Sequence, residues 1–450
     1  MKFYRLLPLL ILVVSGQNLA QARVEQMKAR APRQLIPAET WIAQETQVSV
    51  QRLRENISPL GTVTGVVIAS PQKENPNYFR HWVRDAALTM EVVLDISQHT
   101  TDPVDRHSWE KLLHDFTVFS RQNQLAQTAA KLGEPVFEVS GEPFRGPWGR
   151  PQNDGPALRA IALIRWAESL LDRGQEDYVR TWLYATDLPA QTVVKADLEY
   201  VSHHWKDPSF DLWEEVKGQH FFTQMVQRKA LVLGARLARR LKDPAAAKWY
   251  QSQAKALEQN INTHWDDWRG YILATTHWVE GVNYKNSQLD IAVILGVIHG
   301  STGSYFNVTD TRVVQTFERL VTEFAGLYPV NRIPTVPGVA LGRYPEDLYA
   351  GTDFDGGNPW VLATLAAAQY CYESAAELSQ KNPSYAKKML ARGDDFFQRV
   401  QFHSNKDGSL SEQIQRTSGY MVSARDLTWN YSAVLTAAWA RQKSIQLLKH

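Results

Sequence analysis

The 450-residue chain has a single cysteine, Cys371, so no intrachain disulfide can form and the fold must rest on its core. A chain of this length buries enough surface to manage without one, and Cys371, inside the helical run from Ala366 to Ala376, reads as a small core residue. Charge of one sign is also missing. The 49 Lys and Arg face 47 Asp and Glu, and two of the basic residues lie in the first 22 positions, so no nucleic-acid or polyanion partner is implied. After Val14 no long hydrophobic run remains. The run from Leu6 to Val14 falls short of the roughly 20 residues of a bilayer span. With Lys2 and Arg5 before it and Ala20-Gln21-Ala22 after it, residues 1–22 read as a signal peptide. The rest, 23–450, is then expected to be one exported domain, periplasmic or extracellular, with no membrane span, acting as a monomer. No Ser/Thr- or Pro-rich linker leads to an accessory module.

Several kinds of chemistry lack their signatures. There is no G-x-x-x-x-G-K-[ST] loop, no G-x-S-x-G elbow and no H-E-x-x-H pair. His203 and His204 are neighbours and do not share a helix face, so no metal site and no cofactor is implied. Strand-type alternation is scarce too, confined to candidates such as Thr62–Ser70 and Gly270–Ala274. Carboxylates are left as the reactive groups.

What is present is helical periodicity. Trp109, Leu112, Leu113, Phe116 and Phe119 fall on one face, as do Phe222, Val226, Ala230, Leu233, Leu237 and Leu241. A longer period lies above this one. Helices are expected to begin after polar stretches near Asp85, Pro156, Gln219, Ser287, Asn358 and Ala424, at spacings of 63 to 71 residues. Each interval has room for two helices, the second members near 107–125, 176–205, 243–264, 310–326 and 382–402, with Glu39–Ile57 preceding the first start. Such repetition predicts an all-α fold, an (α/α)6 barrel of six inner and six outer helices, with an open solenoid as the alternative.

The segments at those starts are chemically alike. They are Tyr78–Asp85, Trp148–Asp154, Asp211–Glu215, Gly342–Asp347, Ser411–Gln413 and Ser423–Trp429, each pairing charged groups with an aromatic or lying beside one. Six inner helices running parallel would gather these loops at one barrel end. There Arg and Asp offer hydrogen bonds to hydroxyls, and the tryptophans offer flat apolar faces to sugar rings. In Asp211-Leu-Trp-Glu-Glu-Val, an acid beside an aromatic wall and a second carboxylate has its proton favoured. Taken alone, the plainer reading of Glu214 and Glu215 is a pair of favourable charges on a helix N-terminus. Asn358-Pro359 and Ser423 likewise read as helix caps.

These motifs resemble the glucoamylase group, glycoside hydrolase family 15. WVRDAALTM, WGRPQNDGPALRA, DLWEEVKGQHFFT, GRYPEDLY, GGNPWVLATLAAA, LSEQ and SARDLTWNYSAVLTAAW occur in the family's order between Tyr78 and Tyr431. The resemblance implies the (α/α)6 barrel, release of glucose from non-reducing ends of α-1,4-glucans and maltooligosaccharides, and inversion at the anomeric carbon. It implies Glu214 as general acid and Glu412 as general base. It further implies Glu215, Arg84, Asp85 and Arg343 as sugar-binding groups, Tyr78, Trp82, Trp148, Trp360 and Trp429 as pocket walls, and Ser423 as the group orienting Glu412. The segment Gly351–Gly357 lengthens the stretch between GRYPED and NPW, so outer subsites are expected to differ. No starch-binding module is expected, which favours soluble dextrins over granular starch. Other readings are a trehalase-like hydrolase, an isomalto- or dextran glucosidase, a phosphorylase, and a non-catalytic glycan-binding protein.

Overall fold

Twelve substantial helices alternate between two layers of the computed structural model, which describes residues 34–449. The expected leader, residues 1–22, lies outside these. In chain order the helices are α1 (Ala38–Glu55), α2 (Val83–His99), α3 (Pro103–Leu125), α4 (Asp154–Asp172), α5 (Val193–His204), α6 (Phe221–Arg240), α7 (Pro244–Asn262), α8 (Ala292–Gly300), α9 (Thr311–Leu327), α10 (Val361–Leu378), α11 (Pro383–His403) and α12 (Thr428–Leu448). The even-numbered members touch in sequence, and α12 returns to α2, so the inner ring is closed and the open solenoid is excluded. This is an (α/α)6 barrel. The inner helices start within five residues of their expected positions, because each polar loop ends where a continuous apolar stretch begins. The outer segment expected over 176–205 is broken by a π-turn at Val179–Leu183 before α5.

Caps separate the two layers. The outer helices α3, α7, α9 and α11 begin on Asp102, Asp243, Asp310 and Asn382, whose side chains accept backbone N–H bonds of the first turn at 2.7, 3.2, 2.9 and 3.2 Å. Pro103, Pro244 and Pro383 occupy the first helical position, where a missing N–H costs nothing. Of the six inner helices only α8 has a first-turn N–H taken by a side chain, Ala292 donating to Asp290 at 2.7 Å, and the other five have no side-chain cap. Polar residues in their entry loops are therefore free for other partners. Asn358 and Ser423 are not caps: α10 starts only at Val361 and α12 at Thr428. Asn358 instead bonds Gln413 at 2.9 Å and the Arg416 N–H at 3.0 Å.

The strands are short and serve the loops. β1 (His81–Trp82) pairs with β2 (Val136–Phe137), while β3 (Ser209–Phe210), β4 (Val216–His220) and β7 (Thr275–Gly281) form one antiparallel sheet. β5 (Trp265–Asp266) pairs with β6 (Tyr271–Ile272), and β8 (Gln413–Ile414) with β9 (Met421–Val422). Of the two expected hairpins, Gly270–Ala274 contributes β6, whereas Thr62–Ser70 makes only a bridge from Val67 to Ile57. The core is one continuous apolar cluster through both layers, with Cys371 fully buried in it and its thiol pushed up by burial.

Candidate active site

The acid-bearing segment is not a helix start. Phe210 faces Lys217 across β3 and β4, and the Asp211 N–H donates to the Val216 carbonyl at 2.8 Å, so Leu212–Glu215 is a four-residue hairpin loop. The helix dipole reading of Glu214 and Glu215 fails on this point, since α6 begins only at Phe221. Glu214 takes φ +70°, a left-handed conformation that a non-glycine residue adopts at a cost of about 1–3 kcal/mol. The turn is held from below: Asp211 Oδ1 accepts the N–H groups of Glu215 and Val216 at 2.8 and 3.0 Å.

The partner carboxyl is set by another hairpin. Gln413 faces Val422 in β8 and β9, and extending that register one step sets Ser423 opposite Glu412. The Ser423 hydroxyl donates to Glu412 Oε2 at 2.5 Å, and Gln413 Nε2 donates to the same oxygen at 3.1 Å. Ser423 also stands at a positive φ, +66°. Two left-handed non-glycine residues thus sit at the two carboxyls.

Both hairpins open onto one pocket of about 710 Å³ at the end where the inner helices begin. The expected residues Tyr78, Trp82, Arg84, Asp85, Trp148, Glu214, Glu215, Arg343, Trp360, Glu412 and Trp429 all line it, and Ser423 reaches it through Glu412. Below Leu362 and Trp429 the buried side chains of Leu88, Val92 and Leu295 leave a cavity of only about 20 Å³ on the barrel axis, which makes the pocket blind.

Glu214 Oε1 accepts Trp82 Nε1–H at 2.9 Å and Arg84 Nη2 at 3.3 Å. Arg84 is also bonded to Gln152 at 2.9 Å and lies 3.4 Å from Asp154, which fixes its guanidinium. Glu215 is engaged on both oxygens, by Arg343 at 2.7 Å and by the Tyr344 hydroxyl at 2.6 Å. Asp347 in turn grips Arg343 twice, at 2.6 and 2.8 Å. Arg84 Nε and Asp85 Oδ2 meet each other as an ion pair at 3.3 Å, whereas two buried polar atoms on the lining residues, Trp148 Nε1 and Trp360 Nε1, have no protein hydrogen bond. Such atoms are costly unless a ligand satisfies them.

Burial raises the Glu214 carboxyl above its ordinary range, with Arg84 pulling the other way and Asp85 adding to the rise. Glu412 is pushed up to about 7, again by burial, against the donors Ser423, Tyr78 and Gln413. Glu215 is raised by burial and opposed by Arg343. Burial therefore favours the proton on all three carboxyls and does not by itself separate an acid from a base.

Sequence reasoning passed over one cluster. The fourth inner helix, α8, had no charged segment assigned to its entry, yet Lys285 and Asp290 lie there, buried, with Lys285 Nζ 2.5 Å from Asp290 and 3.5 Å from Asp211. Asp290 also accepts Trp213 Nε1–H at 3.0 Å, and Lys285 stands 4.3 Å from the Tyr344 ring. One cation thereby braces the hairpin under Glu214, the tryptophan beside it and the tyrosine that holds Glu215. Tyr349, whose hydroxyl meets that of Tyr78 at 3.0 Å, closes the motif GRYPEDLY but carries no role in the sequence reading.

Two carboxyls beside stacking faces in a blind pocket are the equipment of glycoside hydrolysis. The chain belongs to the glycosyl hydrolases family 15, whose family model matches residues 51–439. It is 35% identical to a glucoamylase of Blastobotrys adeninivorans over 89% of this chain and 70% of that one. A probable glucoamylase of Schizosaccharomyces pombe is 32% identical over 98% of this chain and 99% of its own. Among solved structures, a glucoamylase from Saccharomycopsis fibuligera superposes with a TM-score of 0.81 at 29% identity, covering 94% of this chain and 99% of that one.

Proposed function

We propose that this chain is an exo-acting hydrolase of α-1,4-glucans and maltooligosaccharides that releases β-D-glucose from the non-reducing end, with Glu214 as general acid and Glu412 as general base. The observation that carries the exo mode is the blind pocket of about 710 Å³, which admits a chain end and not a chain middle. Family membership supports hydrolysis of the glucan linkage, and the names of the relatives point to glucose as product. In this reading the terminal ring sits against Trp82, Trp148 and Trp429 and is held by Arg84 and Asp85. Arg343 and Glu215 take the second ring. Glu214 protonates the glycosidic oxygen while Glu412 draws a proton from a water on the opposite face of the sugar, which forms the C1–O bond as the old one breaks. An inverting pair needs roughly 6.5–9.5 Å between its carboxyls to seat that water.

Proton NMR of fresh maltotriose digests tests the stereochemistry. The β-anomer of glucose is expected first, followed by mutarotation; initial α-glucose would overturn the inverting pair. The chain is taken to act as a monomer. Among the described residues no helix is long and apolar enough to cross a membrane, and residues 1–22 support export.

Ser423 is assigned the orienting role because its hydroxyl donates to Glu412. A donor to the ionised form lowers a carboxyl pKa, so its removal raises it. Ser423→Ala is expected to shift the acidic limb of the kcat/KM profile, where Glu412 must lose its proton, to higher pH and leave the basic limb in place. A pH series on maltose reads this directly, and an unmoved acidic limb would remove Ser423 from the role.

A further inference from the structure

One wall of the pocket continues past the groups assigned so far. Trp213 and Trp360 have ring centroids 5.5 Å apart, Trp360 and Tyr349 6.2 Å, and Tyr349 and Phe354 6.0 Å. Exposure rises along this series, from 7% at Trp213 and 6% at Trp360 to 68% at Phe354. The Arg343 guanidinium stands 5.5, 5.3 and 5.2 Å from the rings of Trp213, Trp360 and Tyr349. Phe354 is the next ring outward. It lines the pocket mouth while leaving most of its face to solvent.

The loop that carries Phe354 is built without help from that side chain. The Ala350 N–H donates to the Asp353 carbonyl at 2.9 Å, Gly356 to Leu348 at 3.2 Å and Gly357 to Asp347 at 2.7 Å. At its near end Gly351, with φ +99°, presses on Ser423 so closely that a Cβ there would stand 2.7 Å from the serine Cβ. A large apolar ring at the tip of a self-bonded loop contributes little to folding. It is already fixed where a flat ligand would meet it, so little ordering is lost on binding.

We infer that Phe354 is a specificity-determining residue: it forms the stacking face for the third glucose ring of a linear α-glucan, outside the two rings held by the pocket. The inference rests on the proposed activity. The occupant follows from continuity with the pocket, since a chain whose end lies against Trp82 and whose second ring meets Arg343 has beside it the wall of rings that Arg343 faces, which runs out through Tyr349 to Phe354 at the mouth. Apolar sugar faces stack on such a ring, and the hydroxyl edges stay in water.

Initial-rate kinetics of the parent, Phe354→Ala and Phe354→Trp on maltose, maltotriose, maltotetraose and maltopentaose test it. For Phe354→Ala, KM for maltotriose and longer substrates is expected to rise about 3- to 10-fold. Maltose, with no third ring, is expected to stay within about twofold. Phe354→Trp is expected to restore the preference for length, and thermal melting to match the parent. An equal loss on maltose and maltopentaose would overturn the inference and place Phe354 behind Tyr349 and Ser423 instead. No loss on any substrate would overturn it as well. If the parent enzyme hydrolyses none of the four sugars, the proposed activity itself falls, and the subsite with it.

Discussion

Glu214→Gln is expected to lose roughly 10²- to 10⁴-fold in turnover of maltose while hydrolysing α-D-glucosyl fluoride within about tenfold of the parent rate. The amide keeps the acceptor that Trp82 and Arg84 use, at 2.9 and 3.3 Å, so the hairpin loop has no reason to move. What disappears is the proton. A sugar alkoxide leaves poorly without it, whereas fluoride leaves well alone, so the deficit tracks the leaving group. Glu412→Gln is expected to behave differently, with a comparable loss on both substrates, because the attacking water needs its base whatever departs. The pair of variants on the pair of substrates assigns the two roles without reference to pKa. If Glu214→Gln were equally impaired on the fluoride, its assignment as acid would fail.

The second large effect concerns stability. Lys285 is 1% exposed and is the shared cation of Asp211 and Asp290. Lys285→Met strands two buried carboxylates, and breaking a buried pair in this way costs about 3–5 kcal/mol. With the unfolding entropy of a chain this long, that is a fall in Tm of about 3–6 °C. The loss has a pH signature. In the parent, burial works to raise Asp211, but Lys285 and the backbone N–H donors hold it below its ordinary value. Without the cation its folded pKa rises above the unfolded one, so the added instability is least below the parent's depressed folded pKa, grows as pH climbs toward the variant's raised one and levels off above it. Thermal melts of parent and variant at pH 4 and pH 7 check this; a deficit equal at both would mean that the carboxylates are not its source. Activity should fall as well, since Asp211 anchors the Glu215 and Val216 amides.

The barrel was legible because its unit repeats. A polar loop followed by a continuous apolar helix recurs six times, and a period of that kind survives an error of several residues at each boundary. The catalytic loops were legible as motifs but not as shapes. Two-residue strands such as Ser209–Phe210 and Gln413–Ile414 carry no alternation to detect, so the hairpin loop of Glu214 was read as a helix start. Ser423 on its own reads as a cap for the same reason, and only the resemblance ties it to Glu412, where the register of β8 and β9 brings it. Nothing local announces that Lys285 and Asp290 are buried together, since the Asp211 that Lys285 also meets lies 74 residues away. The left-handed backbone at Glu214 has no sequence signal at all, because glutamate is not a residue that favours it.

The pocket has no founding part. Its first aromatic wall enters the chain at Tyr78, in the loop before α2, and its last at Trp429, on α12, and those two helices meet only when the ring shuts. Closing contacts between such distant positions is slow and entropically late in folding. Partial barrels, whether nascent chains or nicked ones, can bury much of the apolar core and still possess no competent site. Catalytic activity is therefore a sharper reporter of ring closure than helix content, and a preparation with full helical circular dichroism and low turnover would mark molecules in which the seam between α12 and α2 has not sealed.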